Sequence, residues 1–420
     1  NAIDRFYVKS GVLYSIAIII CAVVLPFIIS NQIPSYLVVL LMLVIGATNT
    51  LDCFVYSKYR VLLQADPRLF IVSLVDTVAY FFRVAIQVSL IYLQQSIVIV
   101  MGIPALLVIA RTIVLAQYCR KHYPGLDSSI KPDKTALSKR WSAMLHQLAG
   151  LVVYNTDVTL LTIFGSLIEV SIYSVYNLVF SHIYNLLTNI FSTGTLASFG
   201  QVMSEGRKDA LLKAYDLYEY VYYFVVSFVY GVSASMILPF VSVYTKKYTD
   251  IHYVDVRLAI LFMVIGFANN MRVPSGTMIN AAGHFKETQW RAILEATINL
   301  TVSLILVKPL GMFGLLIGTV CSFAYRTTDI SYYSHKQILN SSCKKAVLRV
   351  IRTAFCIMGS IILYRLIIDV YEVESWNKWI VYAIIDSCIT AFIVCSVNFI
   401  TEPKLFKDCM NMVVKKIRKM

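Results

Sequence analysis

Charged residues are scarce in this sequence, at 14% of 420 positions, where soluble domains average about 25%. That shortage excludes an ordinary soluble core, because 58% hydrophobic residues would need a polar surface that the chain does not carry. Patterns for metals and disulfides are missing too. The nine cysteines (Cys21, Cys53, Cys119, Cys321, Cys343, Cys356, Cys388, Cys395, Cys409) form no C-x-x-C pair. They read as single thiols in helices and inner loops, so no disulfide framework and no zinc site is expected. The six histidines are scattered, with no H-E-x-x-H, and nothing calls for a metal or another cofactor. A signal peptide is lacking as well: residues 1–9 contain Asp4, Arg5 and Lys9 and read as a loop entering a span. A natural N-terminus further upstream is therefore expected.

What is abundant is long apolar runs. A helix needs about 20 apolar residues to cross a hydrocarbon layer of about 30 Å. Twelve stretches qualify, at 10–30, 35–56, 69–93, 96–118, 141–164, 169–200, 214–244, 257–282, 291–309, 311–333, 350–370 and 378–400. The reading is an all-α, polytopic membrane protein with twelve transmembrane helices. Turns such as Asn31-Gln32-Ile33-Pro34 and Lys308-Pro309-Leu310-Gly311 separate pairs of spans. The connection at 119–140 holds Pro124, Gly125 and Pro132 and reads as a cytoplasmic linker between two helical lobes.

The net charge of +14 raises the question of a nucleic-acid partner, and its placement answers it. With loops numbered alternately from the inside, 27 of the 37 basic residues fall inside, five fall outside (Lys246, Lys247, Arg257, Lys308, Lys378) and five lie within spans (Arg83, Arg111, Arg272, Arg326, Arg365). Lys and Arg flanking spans mark the cytoplasmic face, so both visible ends are expected there. The excess is a topology signal that needs no nucleic acid, and the basic tail can rest on anionic lipid. The largest outside connection, about 245–256, is too short for a catalytic domain, so an enzyme is not expected.

Ionisable groups at membrane depth are costly and are functional candidates by default. Arg83 lies too deep to snorkel inward, with Asp76 two turns earlier on a similar face; it reads as lumen-facing or as half of an ion pair. Arg111 and Arg326 are each the sixteenth residue of their span and each precedes a threonine (Thr112, Thr327). That hints at a parallel repeat, against the plainer reading of anchors reaching for headgroups. Asp157, in Tyr154-Asn155-Thr156-Asp157, is an ion-coupling or interhelical hydrogen-bonding candidate. Asn269, Asn270, Arg272, Pro274, Ser275 and Gly276 form the most polar run in any span, where Pro274 should break the helix near Arg272. Glu295, one turn from Asn299, is a candidate that could equally pair with Arg291, and Arg365 is expected to pair with Asp369. Tyrosines crowd 173–184 and 215–230, as sugar-stacking faces or as interface markers.

Several of these segments carry a resemblance. Asn155-Thr156-Asp157-Val158-Thr159-Leu160-Leu161, followed by Phe164-Gly165 and Ile172-Tyr173-Ser174, resembles the run opening the second lobe of polysaccharide (O-antigen, lipid-linked oligosaccharide) flippases. These belong to the multidrug/oligosaccharidyl-lipid/polysaccharide exporter superfamily. Ile279-Asn280-Ala281-Ala282-Gly283-His284, then Glu295, Asn299-Leu300, Gly311, Gly314, Gly318-Thr319 and Ser322, is similar to a second block of that family.

The resemblance implies fourteen helices in two six-helix lobes plus a pair, of which this chain would lack the first two. Residues 1–118 would be a truncated N-terminal lobe, 119–140 the linker, 141–335 the C-terminal lobe, and 336–420 the extra pair and basic tail. It also implies a flippase in a bacterial inner membrane that translocates a polyprenyl-diphosphate-linked oligosaccharide for surface polysaccharide biosynthesis. Membrane lipids and other polysaccharide assembly proteins would be its partners. The family's cationic cavity would fall to Arg272, Arg83, Arg326 and Arg111 with Asn269 and Asn270; Asp157, Asp76, Glu295 and Asn155 would be the ion-coupling candidates. Two rivals stand: a cation-coupled multidrug antiporter of the same superfamily, which favours an acidic cavity, and a membrane sugar-chain polymerase or ligase, which needs a sizeable outer loop.

Overall fold

Apolar runs bounded by prolines, glycines and short polar turns fold into helices throughout. The computed structural model describes residues 2–29, 34–65, 69–123, 140–368, 373 and 375–417. Every described element is helical: α1 (Ala2–Ile29), α2 (Ser35–Leu51), α3 (Ser57–Ala65), α4 (Leu69–Tyr92), α5 (Ile97–Ala105), α6 (Leu107–His122), α7 (Arg140–Phe164), α8 (Leu167–Ser204), α9 (Lys208–Thr245), α10 (Val256–Met271), α11 (Val273–Ala282), α12 (Phe285–Leu310), α13 (Met312–Tyr333), α14 (Lys344–Ile367), α15 (Trp376–Thr401) and α16 (Pro403–Ile417). Each of the twelve expected spans coincides with a helix or with two helices joined by a kink. Ten helical segments among the described residues are long and apolar enough to cross a membrane; α8 and α13 are as long but richer in polar residues. The protein is an all-helical, polytopic membrane protein. Residues 31–33, most of the 119–140 linker and Asp369 lie outside the described residues.

The chain divides into two compact units, residues 1–140 and 141–420. In the first, α1 packs on α2, and α4 packs on α5 and α6. Two interruptions shape it. A π-helical segment, Asp52–Tyr56, joins α2 to α3, and Pro104 ends α5 so that α6 restarts after Leu106.

In the second unit α12 and α13 form the tightest pair, and α14 and α15 pack on α9. Gly311 turns the chain between α12 and α13 with φ 56°, a backbone that only glycine adopts freely. The capping box of Ser166 with Glu169 starts α8, and Asp255 caps α10 by accepting from the Arg257 amide at 2.8 Å. Pro274 sits in the first turn of α11, and the helix is broken at Arg272 as the proline requires.

The tyrosines of 215–230 serve neither expected purpose. Tyr215, Tyr218, Tyr220, Tyr222, Tyr223 and Tyr230 are buried. Tyr222 donates to Asn270 Oδ1 (2.8 Å), Tyr223 to the Met271 carbonyl (2.8 Å) and Tyr218 to Thr277 Oγ1 (3.2 Å). They knit α9 to α10 and α11, because a phenol buried in apolar surroundings must bring its hydroxyl to a partner. Arg349 and Arg352, counted among the inside basic residues, are also buried. Arg349 holds Asp216 at 2.8 Å, Glu219 at 2.9 Å and Glu402 at 3.2 Å, and so fastens α14 to α9 and to the end of α15.

Candidate functional site

Each unit carries a polar cavity at membrane depth. In the first, a cavity of about 460 Å³ is lined by α2, α4 and α6, with Asp52, Asp76, Arg83 and Arg111 on its wall. Arg111 bonds Asp52 through Nη2 and Asp76 through Nη1 at 3.2 Å, and its guanidinium lies 4.2 Å from the centre of the Tyr56 ring. Tyr56 donates to Asp76 at 2.5 Å. The π segment places both Asp52 and Tyr56 against Arg111, an interruption type that recurs at functional sites. Asp76 is thus held by Arg111 and Tyr56, not by Arg83, which stands two turns along its own helix. Arg83 is exposed and makes no ion pair with a described residue.

In the second unit Arg272, Arg326, Glu295 and Asn269 converge. Arg272 bonds Glu295 at 2.5 Å and donates to the Tyr154 hydroxyl, which donates to Asn269 at 3.2 Å. The far side of Glu295 meets Arg326 at 3.3 Å, Arg326 meets Asp329 at 3.5 Å, and Asp329 meets Arg291. The result is an alternating chain of three guanidiniums and two carboxylates. Arg272 also lies 4.4 Å from the centre of the Phe323 ring, a favourable seat for a desolvated cation. Glu295 therefore pairs with Arg272 and Arg326 and leaves Arg291 to Asp329. Neither Arg111 nor Arg326 reaches for headgroups; both are turned inward onto carboxylates. Arg365 lies in the last turn of α14, and its expected partner Asp369 is outside the described residues.

Asp157 lies in the second unit's cavity, of about 320 Å³, which shares Tyr154, Asn269 and Phe323 with the Arg272 group and is walled further by Tyr173, Tyr184, Phe262 and Thr319. Its Oδ2 accepts from Thr319 at 2.7 Å and from Tyr173 at 3.3 Å, and its Oδ1 has no hydrogen-bond partner among the described residues. Asn299 donates to Thr319 at 3.0 Å while its own Oδ1 is likewise unpartnered.

Two candidates stand away from these groups. Asn270 is fully buried against α9, bonded to Tyr222, to Tyr230 (2.7 Å) and to the Gly266 carbonyl (2.9 Å). Asn155 is exposed and bonds the Leu151 carbonyl of its own helix. Asp52, Tyr56 and Asp329 were not singled out from the sequence, and Tyr154, Arg291 and Thr319 figured there only as motif neighbours or as an alternative partner, not as site residues. Asp52 and Asp329 carried a usable signal, being carboxylates inside or at the edge of apolar runs.

No protein-family profile matches the sequence, and no curated protein matches it. In three dimensions the chain resembles a solved structure of the lipid II flippase MurJ in an inward closed conformation. The TM-score is 0.61 over 96% of this chain and 84% of that one, at 12% identity. At that identity the likeness is one of fold: the chain folds as that polytopic transporter does.

Proposed function

We propose that this chain is a membrane flippase that moves a polyprenyl-diphosphate-linked oligosaccharide across a bacterial inner membrane by alternating access, for surface polysaccharide biosynthesis. One combination carries the reading: a fold shared with a flippase and a guanidinium without an ion pair among the described residues, Arg83, on the wall of a cavity about 20 Å along its helix. A diphosphate and its sugars lose their water in hydrocarbon and cannot cross unaided. Guanidinium groups stay charged when desolvated and bind phosphate oxygens in pairs.

Three of the four expected arginines already hold carboxylates. Arg83 is therefore the first phosphate ligand, and Arg111, Arg272 and Arg326, each held by a carboxylate, contribute only through guanidinium N–H groups that an arriving anion draws from those carboxylates. Asn269 adds a neutral contact, and Asn270 supports the wall from behind. Among the coupling candidates, Asp76 and Glu295 are neutralised by arginines and Asn155 stands outside, which leaves Asp157 to bind the driving cation. Both ends face the cytoplasm, and the lipid tail stays in the bilayer while the headgroup passes.

The test is Arg83→Ala and Arg272→Ala in cells and in vesicles carrying a lipid-linked oligosaccharide. A charge-assisted hydrogen bond is worth about 1.5–3 kcal/mol, so transfer should fall by about tenfold or more in each at unchanged expression. Transfer at the parental rate in Arg83→Ala removes the phosphate role.

The cavity around Asp157 favours a second reading, a cation-coupled drug antiporter, because a buried acid ringed by Tyr173, Tyr184, Phe262 and Phe323 suits an organic cation. Efflux of such a cation lost in Asp157→Asn, with polysaccharide unaffected, would select it. A polymerase or ligase gains no support from the short connection between Thr245 and Val256.

A further inference from the structure

A buried acid on α15 belongs to neither cavity. Asp386 is fully buried, and among the described residues the Ser235 and Thr390 hydroxyls stand next to its carboxylate without forming well-aligned hydrogen bonds to it. It lies about 15 Å along α15 from that helix's start, well within the span. Three buried hydroxyls that make no well-aligned hydrogen bond among the described residues lie in its neighbourhood: Ser235 Oγ of α9, Thr390 Oγ1 one turn further along α15, and the Tyr364 hydroxyl of α14. Ser235 and Thr390 flank the carboxylate, and Tyr364 lies beside it.

The backbone brings these groups together. α9, α14 and α15 pack on one another. A Cβ added at Gly231, one turn before Ser235, would lie 2.7 Å from Thr390 Cγ2 and 3.2 Å from Ser360 Oγ. Glycine there lets α9 approach α14 and α15 closely, so four side chains bearing oxygen meet at a three-helix junction.

An ionised carboxylate with no counter-charge beside it is costly in such a place, so it must be neutralised. No salt bridge reaches it among the described residues. The titratable side chains grouped there are Tyr364 and Arg365 of α14 and Tyr382 of α15, while α9 brings the Ser235 hydroxyl. One carboxylate and three hydroxyls balance a single positive charge. A divalent ion would leave an excess charge buried, and Ca²⁺ wants about 6–8 oxygens, several from carboxylates.

We propose that Asp386, Ser235, Thr390 and Tyr364 form a buried site for one monovalent cation, a sodium ion or a proton, that joins α15 to α9. The site is separate from both cavities and does not depend on the flippase reading. Bound there, the cation would hold the α14–α15 pair on the body of the second unit.

The experiment uses the full chain in lipid nanodiscs with Asp157→Asn as background, so that any cation held by Asp157 is removed from the readout. Thermal unfolding is compared in NaCl and in KCl at equal ionic strength, and an infrared spectrum is recorded at pH 7 in KCl. With sodium as occupant, NaCl raises Tm by about 3–5 °C, and adding Asp386→Asn abolishes the rise. With a proton as occupant, the two salts agree, and the spectrum contains a protonated-carboxyl band that Asp386→Asn deletes. Neither a sodium-specific rise nor such a band means an ionised, unliganded Asp386 and overturns the proposal. Should Asp386→Asn fail to fold, Thr390→Val and Ser235→Ala are used instead. Each should weaken the sodium response or shift the carboxyl band; a response unchanged in both removes the hydroxyls and the site with them. Transport is measured in parallel on the same variants, because loss of the cation site says nothing against phosphate binding at Arg83.

Discussion

At the scale of single residues, Glu295 is the group on which the second unit's charge chain turns. It faces Arg272 at 2.5 Å and Arg326 at 3.3 Å, and all three are largely withdrawn from solvent. Removing one partner of a buried pair costs about 3–5 kcal/mol, because the survivor keeps its charge without compensation. Glu295→Gln strands Arg272 and leaves Arg326 and Arg291 to share the single carboxylate of Asp329, three guanidiniums against one charge. Arg326→Gln strands none, since Glu295 keeps Arg272 and Asp329 keeps Arg291. Glu295→Gln should therefore lower the unfolding temperature of the purified protein markedly, with Arg326→Gln close to the parent. Equal losses in the two variants would mean that the chain is not organised around this carboxylate.

Asp157 argues differently, because the role proposed for it is coupling and not stability. Its Oδ1 lacks a donor among the described residues, an acceptor on a buried carboxylate that a cation would satisfy. Asp157→Asn turns one acceptor into a donor and removes the charge. Transport by that variant should lose its dependence on an ion gradient, measured as equal initial rates with the gradient present and collapsed. A variant that still responds to the gradient as the parent does takes Asp157 out of the coupling.

At the scale of helices, close packing depends on glycine at specific places. A Cβ at Gly318 would lie 2.2 Å from Ser303 Oγ and 2.9 Å from the Ser303 amide, and one at Gly314 would lie 2.2 Å from the Leu306 carbonyl. The four-residue spacing lets α13 lie against α12 at backbone distance, the small-residue packing that membrane helices favour. Gly276 in α11 has open space around it. Gly318→Ala should then reduce folded yield and thermal stability. Gly276→Ala should hold or gain up to about 1 kcal/mol from helix propensity. Comparable stability in the two variants would show that the α12–α13 contact is looser than these distances require.

The helices are also where the legibility of the sequence divides. Their positions could be read, because lipid demands long apolar runs with internally bonded backbones. The break at Arg272 could be read too, since Pro274 has no amide to give. The π segment at Asp52–Tyr56 has no comparable mark, and it decides that Asp52 meets Arg111. Nor could the partners be read. Arg111 finds Asp52 59 positions away, and Arg272 finds Tyr154 118 positions away; which helices lie side by side follows from packing, not from any local pattern. The expected cationic character of the site was for this reason overstated: the arginines stand out in sequence, whereas the carboxylates that pair with them are scattered over other helices.

At the scale of the whole molecule, the arrangement of charge gives the orientation expected of the chain in the bilayer. Basic residues concentrate on alternate connections, and burial of Arg349 and Arg352 in ion pairs takes only two of the 27 inside residues out of that set. The asymmetry therefore survives, and Lys/Arg bias sets orientation through the connections close to the spans. The α9–α10 connection would face outward, and the segment before α14, which holds Cys343, would face the cytoplasm. Both are accessible enough to label: Thr249 is exposed and Cys343 is half-buried. In intact cells, a membrane-impermeant maleimide should modify Thr249→Cys in a chain otherwise free of cysteine. A chain keeping Cys343 alone should stay unmodified until the membrane is permeabilised. The opposite pattern would invert the topology, and with it the direction in which a headgroup loaded at Arg83 could leave.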